Sequence, residues 1–147
     1  MLGVCYRYAQ SLEDAEDVLQ DGFVKVFTHL DKFRGEGSFE GWMRKIMVNL
    51  SLNHIKIKKY FIGQEAIDEV QWQPAEMDAR EIMDEIRLLP PGFRAVFNLY
   101  AIEGYSHKEI GEMLGISEST SRSQYTRARA LLMKRISDQL PLTKKHA

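Results

Sequence analysis

Residues 106–132 constrain the fold most, because their pattern fits two short helices joined by a tight turn. Ser106 precedes Glu109 by three residues, the spacing of a capping box at a helix start. Gly115 stands where a helix ends in a left-handed residue, and Ser117 can cap a second, arginine-rich helix. Two short helices around such a turn are typical of a helix-turn-helix, whose second helix usually enters the DNA major groove. A helical hairpin inside a bundle is the alternative interpretation.

Apolar residues also recur at steps of three and four elsewhere in the chain. This period predicts one helix over residues 11–30, capped by Ser11, and no segment shows the sustained alternation of a strand. A long helix is predicted from Ser38 to about residue 59. The sequence therefore predicts an all-α protein. The residues expected to be buried are Leu12, Ala15, Leu19, Phe23, Val26, Phe27 and Leu30 in the first helix, and Phe39, Trp42, Met43, Ile46 and Leu50 in the second.

Charge is sorted into blocks along the chain, although the net charge is only −1. Acidic residues dominate residues 11–21 and 65–87, whereas basic residues dominate residues 44–59 and 120–147. A local basic face attracts phosphates whatever the summed charge. The alternation therefore favours two surfaces that face nucleic acid and two that face protein over four solvated faces.

An interruption of the helical period divides the chain into two small units. Residues 61–79 contain Gly63, Pro74 and many acids, and we interpret them as an acidic linker. The sequence predicts one helical domain over residues 1–60 and a four-helix domain with the helix-turn-helix over residues 80–147. Each unit is so small that its core is marginal on its own.

Composition excludes several classes of protein. No apolar run reaches the roughly 18 to 20 residues of a membrane span, and the N-terminus lacks the pattern of a signal peptide. The single cysteine, Cys5, excludes an internal disulfide and fits a reducing cytoplasm. Metal-ligand spacing, a glycine-rich phosphate loop and a catalytic carboxylate pair are all absent from the sequence. We therefore expect no metal, no cofactor, no small-molecule substrate, no membrane insertion and no enzymatic activity.

Three segments resemble those of extracytoplasmic-function (ECF) sigma factors, a small two-domain class of bacterial sigma factor. Residues 14–27 (DAEDVLQDGFVKVF) are similar to the helix that docks on the clamp helices of RNA polymerase. Residues 33–59 resemble the segment that melts and reads the minus-ten promoter element, and residues 89–132 resemble the domain that reads the minus-thirty-five element. The resemblance implies a function in transcription initiation, with core RNA polymerase, promoter DNA and an anti-sigma factor as partners.

The resemblance also implies roles for particular residues. Those that would bind polymerase are Asp14, Asp17, Gln20 and Asp21. Those that would bind the minus-ten element are Phe33 and Asn49, which shape a pocket for a flipped base, and the phosphate-contacting Lys56, Lys58 and Lys59. Those that would bind the minus-thirty-five duplex are Thr120, Arg122, Ser123, Gln124 and Arg127. Among the minus-thirty-five residues, arginine can pair bidentately with guanine, and glutamine can pair with adenine. Trp42 also matches the family, but we expect it to pack in the core.

The sequence departs from the family pattern in two places. The family has a further stretch upstream of Met1, so we expect the first helix of the promoter-melting domain to be shortened. Ser121 stands where the family usually has a buried aliphatic residue. A buried hydroxyl needs a hydrogen-bond partner, and the carbonyls of the preceding turn could supply one.

Two other functions stay open. A stand-alone helix-turn-helix transcriptional regulator would share the C-terminal half of the chain. Such a regulator has no use for an acidic helix followed by an aromatic and basic one, which residues 14–59 contain. A decoy that binds polymerase without reading promoters would need the acidic helix but not a working recognition helix.

Overall fold

The computed structural model describes residues 1–55 and 78–139 of the chain. Over these ranges every regular element is helical, which confirms the prediction of an all-α fold. The α-helices are α1 (Leu2–Tyr8), α2 (Leu12–Thr28), α3 (Phe39–Ile55), α4 (Ala79–Arg87), α5 (Pro91–Phe97), α6 (His107–Leu114) and α7 (Glu118–Gln139). A 3-10 turn at Leu30–Lys32 follows α2, and a π-helical turn at Asn98–Ile102 follows α5.

The chain divides into two compact units, Met1–Lys59 and Tyr60–Ala147. Most of the predicted linker, residues 61–77, lies outside the described residues, and Ala79 already belongs to α4. None of the described helices is both long and apolar enough to cross a membrane.

The first unit is a cluster in which α1, α2 and α3 all contact one another. The Asp14 amide donates to Ser11 Oγ at 3.1 Å where α2 begins, and the Gly41 amide donates to Ser38 Oγ at 3.2 Å where α3 begins. Both helix starts were predicted from their capping residues. The core of this unit contains Val4, Cys5, Tyr8, Ala15, Val18, Val26, Met47, Val48, Leu52 and Ile55.

The buried face of α2 differs from the predicted one. Ala15 and Val26 are buried as expected, but Phe27 is 74% exposed and Phe23 is 38% exposed. Val18 and Gly22 complete the buried row instead. The helix carries two apolar rows, and hydrophobic period alone does not say which of them meets a neighbouring helix. Glycine in the buried row allows a close approach that no larger residue permits.

The buried face of α3 was also predicted incorrectly. The core-facing residues are Met47, Val48, Ser51, Leu52 and Ile55. Of the predicted stripe, Phe39 is exposed and the other four residues are only half-buried. Phe39 and Trp42 instead pack against each other and against Phe33, which lies outside α3.

In the second unit, α7 contacts α4, α5 and α6. The core of the second unit contains Ile86, Leu89, Ala128 and Leu132, and partly buried apolar residues pack around them. The start of α4 has a capping box, in which the Asp78 amide donates to Glu81 Oε2 at 3.1 Å. Ala128 and Leu132 are the residues that α7 contributes to this core.

A polar contact ties the end of α7 to α4. Glu85 is buried on α4, and Gln139 donates a hydrogen bond to its carboxylate. The Arg135 guanidinium lies 3.6 Å from the same carboxylate, from Nη1 to Oε2. Since a buried carboxylate needs such partners, Arg135 has a structural role in the second unit.

Candidate nucleic-acid interface

The helix-turn-helix formed by α6 and α7 has the local geometry that its sequence predicts. The Glu109 amide donates to Ser106 Oγ at 3.2 Å, and the Ser106 amide donates to Glu109 Oε2 at 2.8 Å, which completes the capping box. Gly115 ends α6 with φ of 68°, in the left-handed region. The Thr120 amide donates to Ser117 Oγ at 3.0 Å, so Ser117 caps α7 as predicted.

A close backbone contact sets the angle between these two helices. A Cβ atom added at Gly111 of α6 would lie 2.7 Å from the carbonyl oxygen of Ile116 in the turn. The Ile116 amide in turn donates to the Gly111 carbonyl at 3.0 Å. Only glycine fits at this position, because any side chain would push the turn away from α6.

Helix α7 presents one row of residues to the core and another to solvent. The buried row consists of Ser121, Gln124, Ala128 and Leu132. The exposed residues, which we call the recognition face, are Ser119, Arg122, Ser123, Thr126 and Arg129. The three- and four-residue spacing within each set keeps the two sets on different sides of the helix.

The position of Gln124 contradicts its expected role in reading a base. Its side chain is only 4% exposed and belongs to the core-facing row of α7. Within the described part of the chain its side-chain oxygen has no hydrogen-bond partner. Gln124 can therefore not reach a base edge in this conformation. A polar residue gives no hydrophobic signal, which explains why the sequence pattern did not reveal its burial.

The other predicted minus-thirty-five residues differ in how far their side chains are exposed to solvent. Arg122 is exposed and forms an ion pair with Glu118 one turn earlier. Ser123 is exposed as well, and its hydroxyl donates to the Thr120 carbonyl at 3.0 Å. Thr120 is half-buried, and so is Arg127, whose Nη1 atom is buried without a partner among the described residues. Arg122 and Ser123 are thus the two of these residues whose side chains are exposed.

Three residues of the recognition face, Ser119, Thr126 and Arg129, were not among those predicted to bind the minus-thirty-five duplex. Thr126 lies one turn after Arg122, and its hydroxyl donates to the Arg122 carbonyl at 3.0 Å. Arg129 follows three residues later and is exposed. Thr126 and Arg129 follow Arg122 by four and seven residues. This spacing was the available signal, because such positions share a helix face.

The hydroxyl of Ser121 on α7 has its hydrogen-bond partner on α6, the other helix of the helix-turn-helix. Ser121 is 0% exposed, and its Oγ lies 2.9 Å from Nδ1 of His107, the first residue of α6. The expected partner was a carbonyl of the preceding turn, so this contact between the two helices is a correction. Burial, and then the charge of Arg122, lower the pKa of His107, while Glu118 acts in the opposite direction.

Most of the predicted polymerase-binding residues on α2 are exposed to solvent. Asp17, Gln20 and Asp21 are exposed on the outer side of the helix. Asp14 differs, since it is half-buried and its Oδ1 lies 3.6 Å from Nε2 of His54 on α3. The exposed apolar residues of the same helix are Leu12, Phe23, Val24 and Phe27. The outer surface of α2 therefore combines acidic and apolar groups.

The predicted minus-ten residues lie beside an aromatic cluster. The ring centroid of Phe33 is 5.2 Å from that of Phe39 and 5.5 Å from that of Trp42. Trp42 is half-buried in this cluster and not in the core, which corrects the expectation of core packing. Asn49 is exposed on α3, seven residues after Trp42 and hence on a similar side of the helix. The predicted phosphate contacts Lys56, Lys58 and Lys59 lie outside the described residues.

These features define a helical protein of two units, one with a helix-turn-helix and one with an acidic helix and an aromatic cluster. The family Sigma-70 region 2 matches residues 1–59, and the family Sigma-70, region 4 matches residues 79–132. The chain therefore belongs to the sigma-70 family, as an ECF sigma factor with regions 2 and 4. The resemblance described from the sequence is confirmed.

Several curated proteins are similar over most of the chain. The ECF RNA polymerase sigma factor SigE of Mycolicibacterium smegmatis is 36% identical over 141 residues, which cover 88% of this chain and 54% of that protein. The ECF RNA polymerase sigma factor SigW of Bacillus subtilis is 29% identical, with coverage of 92% and 82% respectively. The chain thus spans about half of the first relative and about four-fifths of the second.

Two solved structures share the fold. The sigma factor RpoE of Bartonella quintana, in complex with the anti-sigma factor NepR, aligns with a TM-score of 0.61 at 18% identity, covering 95% of this chain and 91% of that one. CnrH, in complex with the cytosolic domain of CnrY, aligns with a TM-score of 0.54 at 24% identity, covering 95% and 81%. At these identities the likeness concerns the fold alone.

Proposed function

We propose that the chain binds core RNA polymerase and directs transcription initiation by recognising minus-ten and minus-thirty-five promoter elements. The observation that carries this proposal is the presence, in one chain, of an outward acidic helix, an aromatic cluster and a helix-turn-helix within regions 2 and 4 of the sigma-70 family. A stand-alone regulator would require only the last of these. The catalytic step of RNA synthesis belongs to the polymerase, so we propose no enzymatic activity for the chain itself.

Core polymerase binds, in this proposal, to the outer surface of α2. Asp17, Gln20 and Asp21 are exposed there, and Phe27 leaves an apolar area beside them. A partner with basic residues around an apolar strip would match both features, because charge complementarity guides encounter and apolar burial contributes affinity. Asp14 contributes less directly, since it is half-buried next to His54.

The minus-ten element is bound by the side of the first unit that carries Phe33 and Asn49. Phe33 offers a partly exposed ring on which an unstacked base can stack, and Phe39 and Trp42 support that ring. Asn49 offers an amide donor and acceptor for a base edge. We keep Lys56, Lys58 and Lys59 as proposed phosphate contacts on their sequence alone.

The minus-thirty-five duplex is bound by the recognition face of α7. Arg122 and Ser123 keep the roles expected of them, and Thr126 and Arg129 join them because they are exposed on the same side. Arg122 must exchange its contact with Glu118 for a contact with a base or a phosphate. Thr120 and Arg127 stay at the edge of this surface, and Gln124 is excluded by its burial.

Regulation by an anti-sigma factor and action in the cytoplasm are part of the same proposal. One solved structure of similar fold is the sigma factor RpoE of Bartonella quintana in complex with the anti-sigma factor NepR. An anti-sigma factor would act by covering the outer surface of α2 or the recognition face. The single buried cysteine, Cys5, is compatible with a reducing compartment.

Charge reversal on α2 tests the proposal. The double variant Asp17→Lys/Asp21→Lys should no longer co-purify with core RNA polymerase and should support no promoter-dependent transcription. Asp84→Lys/Asp138→Lys is the matched control, because it changes the net charge equally at two exposed acids of the second unit. Equal co-purification of both double variants with polymerase would contradict the proposed docking surface. Failure of the wild-type chain to support transcription would contradict the function itself.

A further inference from the structure

The contact between the two helices of the helix-turn-helix contains a polar pair. Ser121 is 0% exposed and sits in the buried row of the recognition helix α7. Its Oγ lies 2.9 Å from Nδ1 of His107, which begins α6. The hydrogen bond therefore joins the start of one helix to the first turn of the other, fourteen residues away.

The serine hydroxyl is directed away from its own helix. A serine inside a helix commonly donates to the carbonyl four residues earlier. Here the Ser117 carbonyl accepts from the Ser121 amide at 3.0 Å, and the hydroxyl of Ser121 contacts the imidazole instead. The pair is thus a contact between helices, and its length depends on where α7 sits relative to α6.

The imidazole itself is held by aromatic rings. The His107 ring stacks on Tyr100, with ring centroids 4.2 Å apart and planes 8° from parallel. Tyr125 of α7 lies against both rings, 5.8 Å from His107 and 4.5 Å from Tyr100. Tyr100 comes from the π-helical turn that follows α5. Three elements therefore orient one nitrogen atom toward Ser121.

The pair lies directly behind the recognition face. Ser121 immediately precedes Arg122, and Ser123 follows one residue later, so any rotation of α7 at Ser121 moves both exposed side chains. Readout of a base edge depends on hydrogen bonds of narrow geometry. The orientation of Ser121 is thus transmitted to the residues that meet DNA.

We propose that His107 and Ser121 form a positioning pair that seats α7 and thereby determines how strongly the protein prefers its minus-thirty-five sequence. The inference rests on the proposed function and adds two residues that do not touch DNA themselves. Removing one partner leaves a buried polar atom unpaired, whereas removing both leaves an apolar contact of similar shape. The two side chains should therefore act as a unit, with effects that do not add.

A double-mutant cycle in the assembled holoenzyme tests the pair. His107→Phe keeps a flat ring for Tyr100 but loses the nitrogen, Ser121→Ala loses the hydroxyl, and the third variant combines both changes. The probes are the duplex that wild-type holoenzyme enriches from a randomised minus-thirty-five pool and a scrambled duplex. The ratio of the two affinities measures sequence preference, and affinity for the scrambled duplex measures general phosphate binding.

We expect His107→Phe to lower the affinity ratio by about three- to tenfold, with little change in binding to the scrambled duplex. Adding Ser121→Ala to this variant should restore most of the ratio. His107→Asn, whose amide can approach the position of Nδ1, should also retain more of the ratio than His107→Phe. Circular dichroism of each variant verifies that it folds.

Independent, multiplicative effects of His107→Phe and Ser121→Ala would overturn the positioning pair, and so would an unchanged ratio in His107→Phe. Loss of binding to both duplexes in equal measure would also overturn it, since that result reports general damage rather than altered seating. If wild-type holoenzyme enriches no sequence at all, the proposed function and this inference fail together. The first three outcomes leave the proposed function intact.

Discussion

Replacing Gly22 with alanine tests the contact that brings α2 and α3 together. A Cβ atom at Gly22 would lie 2.1 Å from Met47 Sδ and 2.8 Å from Met47 Cε, both far inside van der Waals contact. Met47 is fully buried, so its side chain moves only by displacing other core atoms. Overpacking costs typically about 1 to 3 kcal/mol, and the atoms that must move at Gly22 belong to the flexible end of one methionine side chain.

The substitution also stabilises the helix itself, because alanine is favoured over glycine in a helix interior by about 1 kcal/mol. The net effect of Gly22→Ala is then a loss of up to about 2 kcal/mol in the free energy of unfolding of the first unit. Gly41 of α3 provides the matched control, since the nearest atom to its added Cβ is Ser38 Cβ at 3.8 Å. Gly41→Ala should therefore stabilise the unit by up to about 1 kcal/mol.

Urea unfolding of the full chain measures both variants. Trp42 lies in the first unit, so its fluorescence reports that unit once Trp72 has been replaced by phenylalanine. The difference in midpoint between the two variants gives the contribution of the α2–α3 contact. A Gly22→Ala protein as stable as the Gly41→Ala protein would refute the reasoning, because it would mean that the buried Met47 side chain can move away from residue 22 at no cost.

Further predictions concern the second unit. Burial and the Arg122 charge lower the pKa of His107 in the folded protein. As pH falls, His107 is therefore protonated at a higher pH in the unfolded chain than in the folded one, which favours unfolding. Thermal unfolding between about pH 7.5 and pH 5 should show wild type losing stability relative to His107→Asn below about pH 6.5. Arg135→Ala leaves buried Glu85 short of a partner, and urea unfolding should show a loss of about 1 to 3 kcal/mol without altered promoter preference. In randomised minus-thirty-five libraries, Arg122→Ala should relax preference at particular positions, whereas Gln124→Ala should affect all positions alike.

Local features of the fold could be predicted from the sequence because they depend on neighbouring residues. The capping box of Ser106 and Glu109 and the left-handed Gly115 involve contacts within a few positions. The same holds for Ser11 at the start of α2. Such interactions form whatever the rest of the protein does, so a pattern of residue types is enough to locate the helix ends.

The choice of buried face could not be predicted in the same way. In α2, Phe23 and Phe27 look like core residues by composition, yet the row through Val18 and Gly22 faces α3. That choice depends on how closely two helices approach, and the approach depends on a glycine opposite Met47. Hydrophobic period reports that a residue is apolar, whereas burial also requires a partner of complementary shape.

Buried polar residues explain the remaining errors at the site. Gln124 and Ser121 interrupt the apolar row of α7. The family resemblance therefore placed Gln124 on the DNA side, and Ser121 was expected to bond a carbonyl of its own helix. Both residues instead face α6 or the core, and only the three-dimensional contact with His107 identifies the partner of Ser121. The sequence thus predicts which helix carries the candidate site, and the buried and exposed faces of that helix indicate which of its residues can meet DNA.

The buried row and the recognition face of α7 together determine what kind of mutation changes DNA recognition. Residues of one helix keep fixed angles to one another, so the orientation of Arg122 depends on how Ser121 is held. A substitution on the exposed face removes one contact and leaves the others, whereas a substitution in the buried row shifts every contact at once. If α7 reads the minus-thirty-five element as proposed, a new preference can arise at Ser123 or Thr126 without repacking, provided that the contact between His107 and Ser121 is kept.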